Sequence, residues 1–183
     1  MFDQDRFIEA CRSAVRETDA RAAVMELVRE AVADPAAVVR GLGEPTRAGV
    51  QTLYRGDDLT VLNLMWGPGM DFQPHDHRMW AVIGIYGGQE DNSFFRRQGA
   101  GLARYGVRPL RTGDVAPLGA DVIHAVRNPL DRITAAIHVY GGDFFGTPRS
   151  EWDPVSHVER PYDVEGTLRA FEASNRALEA RGG

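Results

Sequence analysis

Three histidines carry the chemistry that can be read first from this chain. His75 and His77 lie one residue apart in QPHDHRMW, and His124 lies far along the chain in DVIHAVRN. In an extended strand, residues i and i+2 project from one face, so the first two imidazoles point together and can bind one ion. A neutral imidazole offers one nitrogen lone pair and suits zinc, iron or nickel. The three therefore read as a metal site. Asp76, between the pair, faces away and braces the strand.

Other elements must bring these residues together. Residues 19–33 place Ala23, Val24, Leu27, Val28 and Ala31 at helical spacing, with Asp19 as N-cap. Asp34-Pro35 reads as a cap followed by proline at the first helical position, ending near Gly41 or Gly43. Two or three short helices are expected before residue 45. From Val50 to Tyr140 the chain turns to short β-branched and aromatic runs broken by glycine and proline: QTLY, LTVLNLMW, MWAVIGIY, NSFFRR, LARYGV, DVIHAV and RITAAIHVY. Such a series predicts a barrel or double-sheet jelly roll. After Trp152 the chain reads as irregular. Val164 to Ala180 then puts Leu168, Phe171 and Leu178 on one helical stripe, packed outside the barrel. The expectation is one domain, with N-terminal helices over 1–45, a β-barrel over 46–150 and a C-terminal extension over 151–183.

Composition narrows the function classes. The chain has 183 residues, 43% of them hydrophobic, which is enough for a real core. A net charge of −5 without a lysine-rich or arginine-rich block gives no support to nucleic-acid binding. No apolar run of eighteen residues and no leader pattern is present, so a cytoplasmic location without membrane association is expected. A single cysteine, Cys11, agrees with a reducing compartment.

The two histidine strings resemble the paired motifs of the cupin superfamily. Gly69, five residues and then His-x-His match the first; His124 with three residues before Asn128 matches the end of the second. Gly113, Pro117 and Gly119 are also present, although Gly119 lies five residues before His124 rather than three. The resemblance implies a mainly β fold, the double-stranded β-helix. Many cupins add a glutamate four or five residues after the second histidine, where this chain has Ala81 and Val82. The implied ligand set is three neutral imidazoles, which leaves the ion's charge intact and favours an anionic ligand.

Within the cupins the chain is similar to the thiol dioxygenases, which include cysteine dioxygenase and 3-mercaptopropionate dioxygenase. The likeness rests on WGPG at Trp66, HDH followed by Trp80, IG-x-Y-GG-x-E ending at Glu90, His124 with Asn128, and AIHVYGGDFF from Ala136 to Phe145. In that family a serine, a histidine and a tyrosine at i, i+2 and i+4 form a relay. His138 and Tyr140 match its last two members, and Ala136 replaces the serine, so something else must fix the tautomer of His138. The family cysteine that crosslinks to the tyrosine falls at Val82. For the substrate carboxylate, Gln51 matches the glutamine of mercaptopropionate-type members, and Arg55, four residues on, is the competing candidate. Trp80 and Trp66 are expected to wall the pocket.

The resemblance implies iron(II) held by His75, His77 and His124, with a small thiol and dioxygen as substrates and a sulfinate as product. Zinc or nickel is an alternative occupant of purified protein. Two other readings stay open: another three-histidine cupin enzyme, such as a diketone-cleaving dioxygenase, and a non-catalytic zinc-binding cupin sensor. Monomer and homodimer are equally consistent with the sequence. His157, Arg96 and Arg97 are expected at the solvated surface.

Overall fold

Aspartates start three N-terminal helices in the computed structural model, which describes residues 2–182. Asp3, Asp19 and Asp34 each accept a hydrogen bond from a backbone amide three residues on, at 3.0 to 3.1 Å. They cap α1 (Gln4–Ala14), α2 (Ala20–Val32) and α3 (Pro35–Leu42). The strands that follow are β1 (Gly49–Arg55), β2 (Thr60–Trp66), β3 (Asp71–Asp76), β4 (Ala81–Gly87), β5 (Gln89–Gln98), β6 (Gly101–Arg111), β7 (Val115–Leu118), β8 (Ile123–Arg127), β9 (Thr134–Tyr140), β10 (Ser150–Trp152) and β11 (Glu159–Pro161). Helix α4 (Val164–Gly182) ends the described chain.

These strands form two antiparallel sheets, ordered β1-β2-β9-β4-β7 and β11-β10-β3-β8-β5-β6. Facing each other, they make the double-stranded β-helix of the cupin fold. Parity along β9 shows how the sheets are used. Ala136, His138 and Tyr140 face inward, between the sheets, whereas Ile137 and Val139 face outward and pack with Val24, Val28 and Val32 of α2. Burial on both faces explains why β2, β4 and β9 read as nearly unbroken apolar runs. Helix α2 lies so close to β4 that a Cβ at Gly84 would sit 2.3 Å from Val28 Cγ1. The first sheet is thus a shared wall, with helices on one side and the barrel interior on the other.

Strands β7, β10 and β11 were not in the sequence reading. Each has only three or four residues, too few to show a period. Helix α4 departs from expectation more usefully. Phe171 stacks on Trp66 with ring centroids 5.5 Å apart. Asn175 bonds both the N–H and the C=O of Ala48, at 2.7 and 2.9 Å. Leu168 remains 53% exposed. The helix therefore lies across the barrel's open end, with Phe171 turned inward, rather than packing an outer wall through the predicted stripe. Among the described residues no helix is long and apolar enough to cross a membrane.

Candidate metal centre

Strands β3 and β8 are neighbours, and their register sets His75 directly opposite His124. His77 follows the last residue of β3, just before Arg78 turns the chain at φ 58°. All three side chains are buried, and each offers a ligand nitrogen within 4.8 Å of the others. Two rings have their orientation fixed from behind. His75 Nδ1 donates to the carbonyl of Gln73 at 3.0 Å, and His124 Nδ1 donates to Asn92 Oδ1 at 2.7 Å. In a neutral imidazole this leaves Nε2 bare. His124 Nε2 lies 3.3 Å from His77 Nε2.

Burial keeps these rings neutral. It lowers the pKa of His75 to about 4, and His77 and His124 lie well below the ordinary histidine value for the same reason, reinforced by their neighbours' charges. Bare nitrogens converging in a buried site without a donor are what a divalent cation completes. The residues present fit a metal ion. Asp76 behaves as expected: it accepts from Arg78 Nε at 2.6 Å and from the Ser150 amide at 2.7 Å, which ties β3 to β10 outside the site.

The cluster opens into a cavity of about 240 Å³ lined by Trp66, Phe72, Tyr140, Phe144, Tyr162 and Phe171, among others. Tyr140 and His138 both reach it from β9. The Tyr140 ring lies 5.0 Å from that of His77, and its hydroxyl is 3.0 Å from His138 Nδ1. Burial raises the Tyr140 pKa, so the phenol stays protonated at neutral pH.

The three substrate-binding residues expected from the sequence are elsewhere. Val50, not Gln51, faces the cavity. Gln51 is turned to the other side of β1, where its Oε1 accepts from Asn63 Nδ2 at 3.0 Å. Arg55 lies outside, paired with Asp143 through two bonds of 2.8 Å. The Trp80 ring packs against Gly141, where a Cβ would lie 2.0 Å from Trp80 Cε2, and belongs to the outer apolar layer. Gln51 pairs with Asn63 and so faces opposite Val50, whose partner is Leu64, whereas a register shift between Thr52 and Tyr54 turns Arg55 back to the face of Val50 at the exposed end of β1, beyond the cavity. Trp66 does line the cavity. Of the expected surface residues, His157 is only half-exposed, its Nδ1 donating to Leu102 O at 3.1 Å. Arg97 is partnered by Glu159.

Two features escaped the sequence reading. Arg149, in the segment after β9, is the one charged cation lining the cavity among the described residues. Its guanidinium carbon sits 4.0 Å from the Phe144 ring centroid and 4.1 Å from that of Tyr162. One amino group donates to the Phe144 carbonyl, Nε has no partner, and among the described residues no carboxylate pairs with it. The second feature is Glu90, fully buried on β5 behind His138. Its alternation with Asn92 and Phe94 on the inward face of a strand was the available signal.

No family model matches the chain. Among solved structures it is similar to cupin and double-stranded β-helix proteins. One, from Klebsiella pneumoniae, is 15% identical with a TM-score of 0.44, over 55% of this chain and 76% of that one. An RmlC-like cupin from Methanocaldococcus jannaschii is 12% identical with a TM-score of 0.46, over 56% and 86%. The DMSP lyase DddQ of Ruegeria pomeroyi is 21% identical with a TM-score of 0.47, over 60% and 54%.

Proposed function

We propose that this protein is a metal-dependent thiol dioxygenase that acts on a small carboxylate-bearing thiol, R–SH + O2 → R–SO2H. One observation carries the reading: an unpaired guanidinium and a buried tyrosine hydroxyl share one apolar cavity with three converging imidazoles. His75, His77 and His124 would hold iron(II). When bound, that ion supplies Lewis acidity towards sulfur and redox chemistry with dioxygen.

The remaining roles belong to the chain's own residues. Arg149 binds the substrate carboxylate, since a cation already stacked between two rings loses little freedom on pairing. Its distance suits a short molecule: Phe144, which it covers, lies only 6.0 Å from the His77 ring. Tyr140 orients the reacting end, with His138 behind it. The apolar walls exclude water, which strengthens both contacts. Among the described residues no aspartate or glutamate lines the cavity to receive an ammonium group, which favours 3-mercaptopropionate over cysteine.

Oxygen uptake by protein reconstituted anaerobically with iron(II) tests this reading. Sulfinate formed in step with oxygen, faster with 3-mercaptopropionate than with cysteine or a neutral thiol, is the expected result. No uptake at full iron occupancy would remove the dioxygenase assignment, and a preference for the neutral thiol would remove Arg149 as anchor.

A further inference from the structure

Glu90 is a carboxylate with no exposure to solvent, and the reaction scheme leaves it unused. Three donors face its two oxygens. Trp66 Nε1 donates to Oε2 at 2.8 Å, and Asn92 Nδ2 donates to Oε1 at 3.0 Å. His138 Nε2 lies 3.5 Å from Oε2 without a formed hydrogen bond, and this buried nitrogen has no partner elsewhere. Beyond these contacts the network closes on the metal site from two directions. Asn92 accepts from His124 Nδ1, and His138 Nδ1 meets the Tyr140 hydroxyl.

We propose that Glu90 is a positioning residue whose carboxylate holds His138 as the Nε2–H tautomer and, through Asn92, holds His124 as the Nδ1–H tautomer. One buried group thereby sets both the residue behind Tyr140 and one metal ligand. Ala136, two residues before His138 on the same face of β9, ends in a methyl group and can hold neither tautomer. A carboxylate only accepts. His138 must therefore give its Nε2 proton towards Glu90, which leaves Nδ1 as acceptor for the Tyr140 O–H. The Tyr140 oxygen then turns its lone pairs to the cavity, where it accepts a hydrogen bond from a protonated ligand such as a thiol. The donors from His138, Asn92 and Trp66 outweigh the cost of burial and keep the Glu90 carboxyl below its ordinary pKa, so it is ionised. Asn92 must present its oxygen to His124, since its nitrogen is engaged by Glu90.

This inference rests on the metal centre only through His124 and is independent of the thiol chemistry. Its test is the ring-nitrogen spectrum of 15N-histidine-labelled protein, recorded metal-free and loaded with zinc(II). In the wild type, His138 is expected to show a protonated Nε2 and a bare Nδ1 in both states; the reverse pattern would overturn the proposal without any variant. Glu90→Gln offers one acceptor to the same three donors, so the pattern of His138 or of His124 is expected to change. Zinc affinity should fall about 10- to 100-fold, as losses behind a ligand do. Unchanged patterns with only a lower melting temperature would make Glu90 merely structural. Failure of the wild type to bind zinc would count against the metal centre, while the His138 pattern would still decide the role of Glu90.

Discussion

Two arginines flank neighbouring phenylalanines at the end of β9, and their surroundings separate them. Arg55 covers Phe145 at 5.3 Å from the exposed end of β1, and its charge is spent on Asp143, whose carboxyl it lowers to about 2. Arg149 covers Phe144 at 4.0 Å, on the cavity side, and among the described residues no carboxylate pairs with it. Both are cations over aromatic rings, each with a backbone carbonyl or an acid nearby. What distinguishes the two arginines is the missing counter-charge, combined with whether the arginine itself lines the cavity. Charge type and sequence spacing alone do not report either.

The contrast between interior and exterior can be broken most sharply at the metal. His77→Ala should abolish stoichiometric metal binding in elemental analysis, whereas His157→Ala should leave it intact; metal retained in the first would dissolve the site. Next in size, Tyr140→Phe should keep the metal and slow turnover at least about tenfold, since removing one positioned hydrogen-bonding group from a site costs roughly 10²- to 10³-fold. Steady-state rates indistinguishable from wild type would reassign Tyr140 to packing.

A third effect follows from the depressed pKa of the buried rings. In metal-free protein, between pH 6.5 and 4, the unfolded chain binds a proton at position 75 that the folded chain refuses. The unfolded state then holds more protons, so stability rises with pH and is lost as pH falls. From His75 alone this amounts to about 2 kcal/mol between pH 7 and 5, or roughly 4–8 °C in Tm. A melting temperature flat over that range would mean the rings are not buried as described. Smallest of all, Arg55→Ala should change kcat/KM for a carboxylate-bearing thiol less than about twofold, as expected of an exposed pair; a large rise in KM would return the substrate anchor to β1.

The fold and the ligands were legible because each rests on a local period. Caps at Asp19 and Asp34 with proline at 35 marked the helices, and a spacing of two put His75 and His77 together. Parity failed at Arg55 because a register shift between Thr52 and Tyr54 breaks the period, and at Gln51 because it gives relative faces along β1 without saying which face meets the barrel interior. Val50 settles that only once β1 is paired with β2. Arg149 was illegible for a different reason: it lies in an irregular segment, and its function depends on Phe144 and Tyr162 reaching it from either side. Glu90 stood at the end of a recognised string, yet its role depends on Trp66, Asn92 and His138, which come from three strands.

The central claim is that the cavity takes an anion through Arg149. Cobalt(II)-loaded protein titrated anaerobically with 3-mercaptopropionate, followed by the metal's absorption bands, tests it most directly. Arg149→Gln should weaken binding about 10- to 100-fold, the worth of a charged hydrogen bond, with Arg149→Lys falling between the variant and wild type and cobalt content unchanged in all three. Equal affinities across the series would contradict the claim.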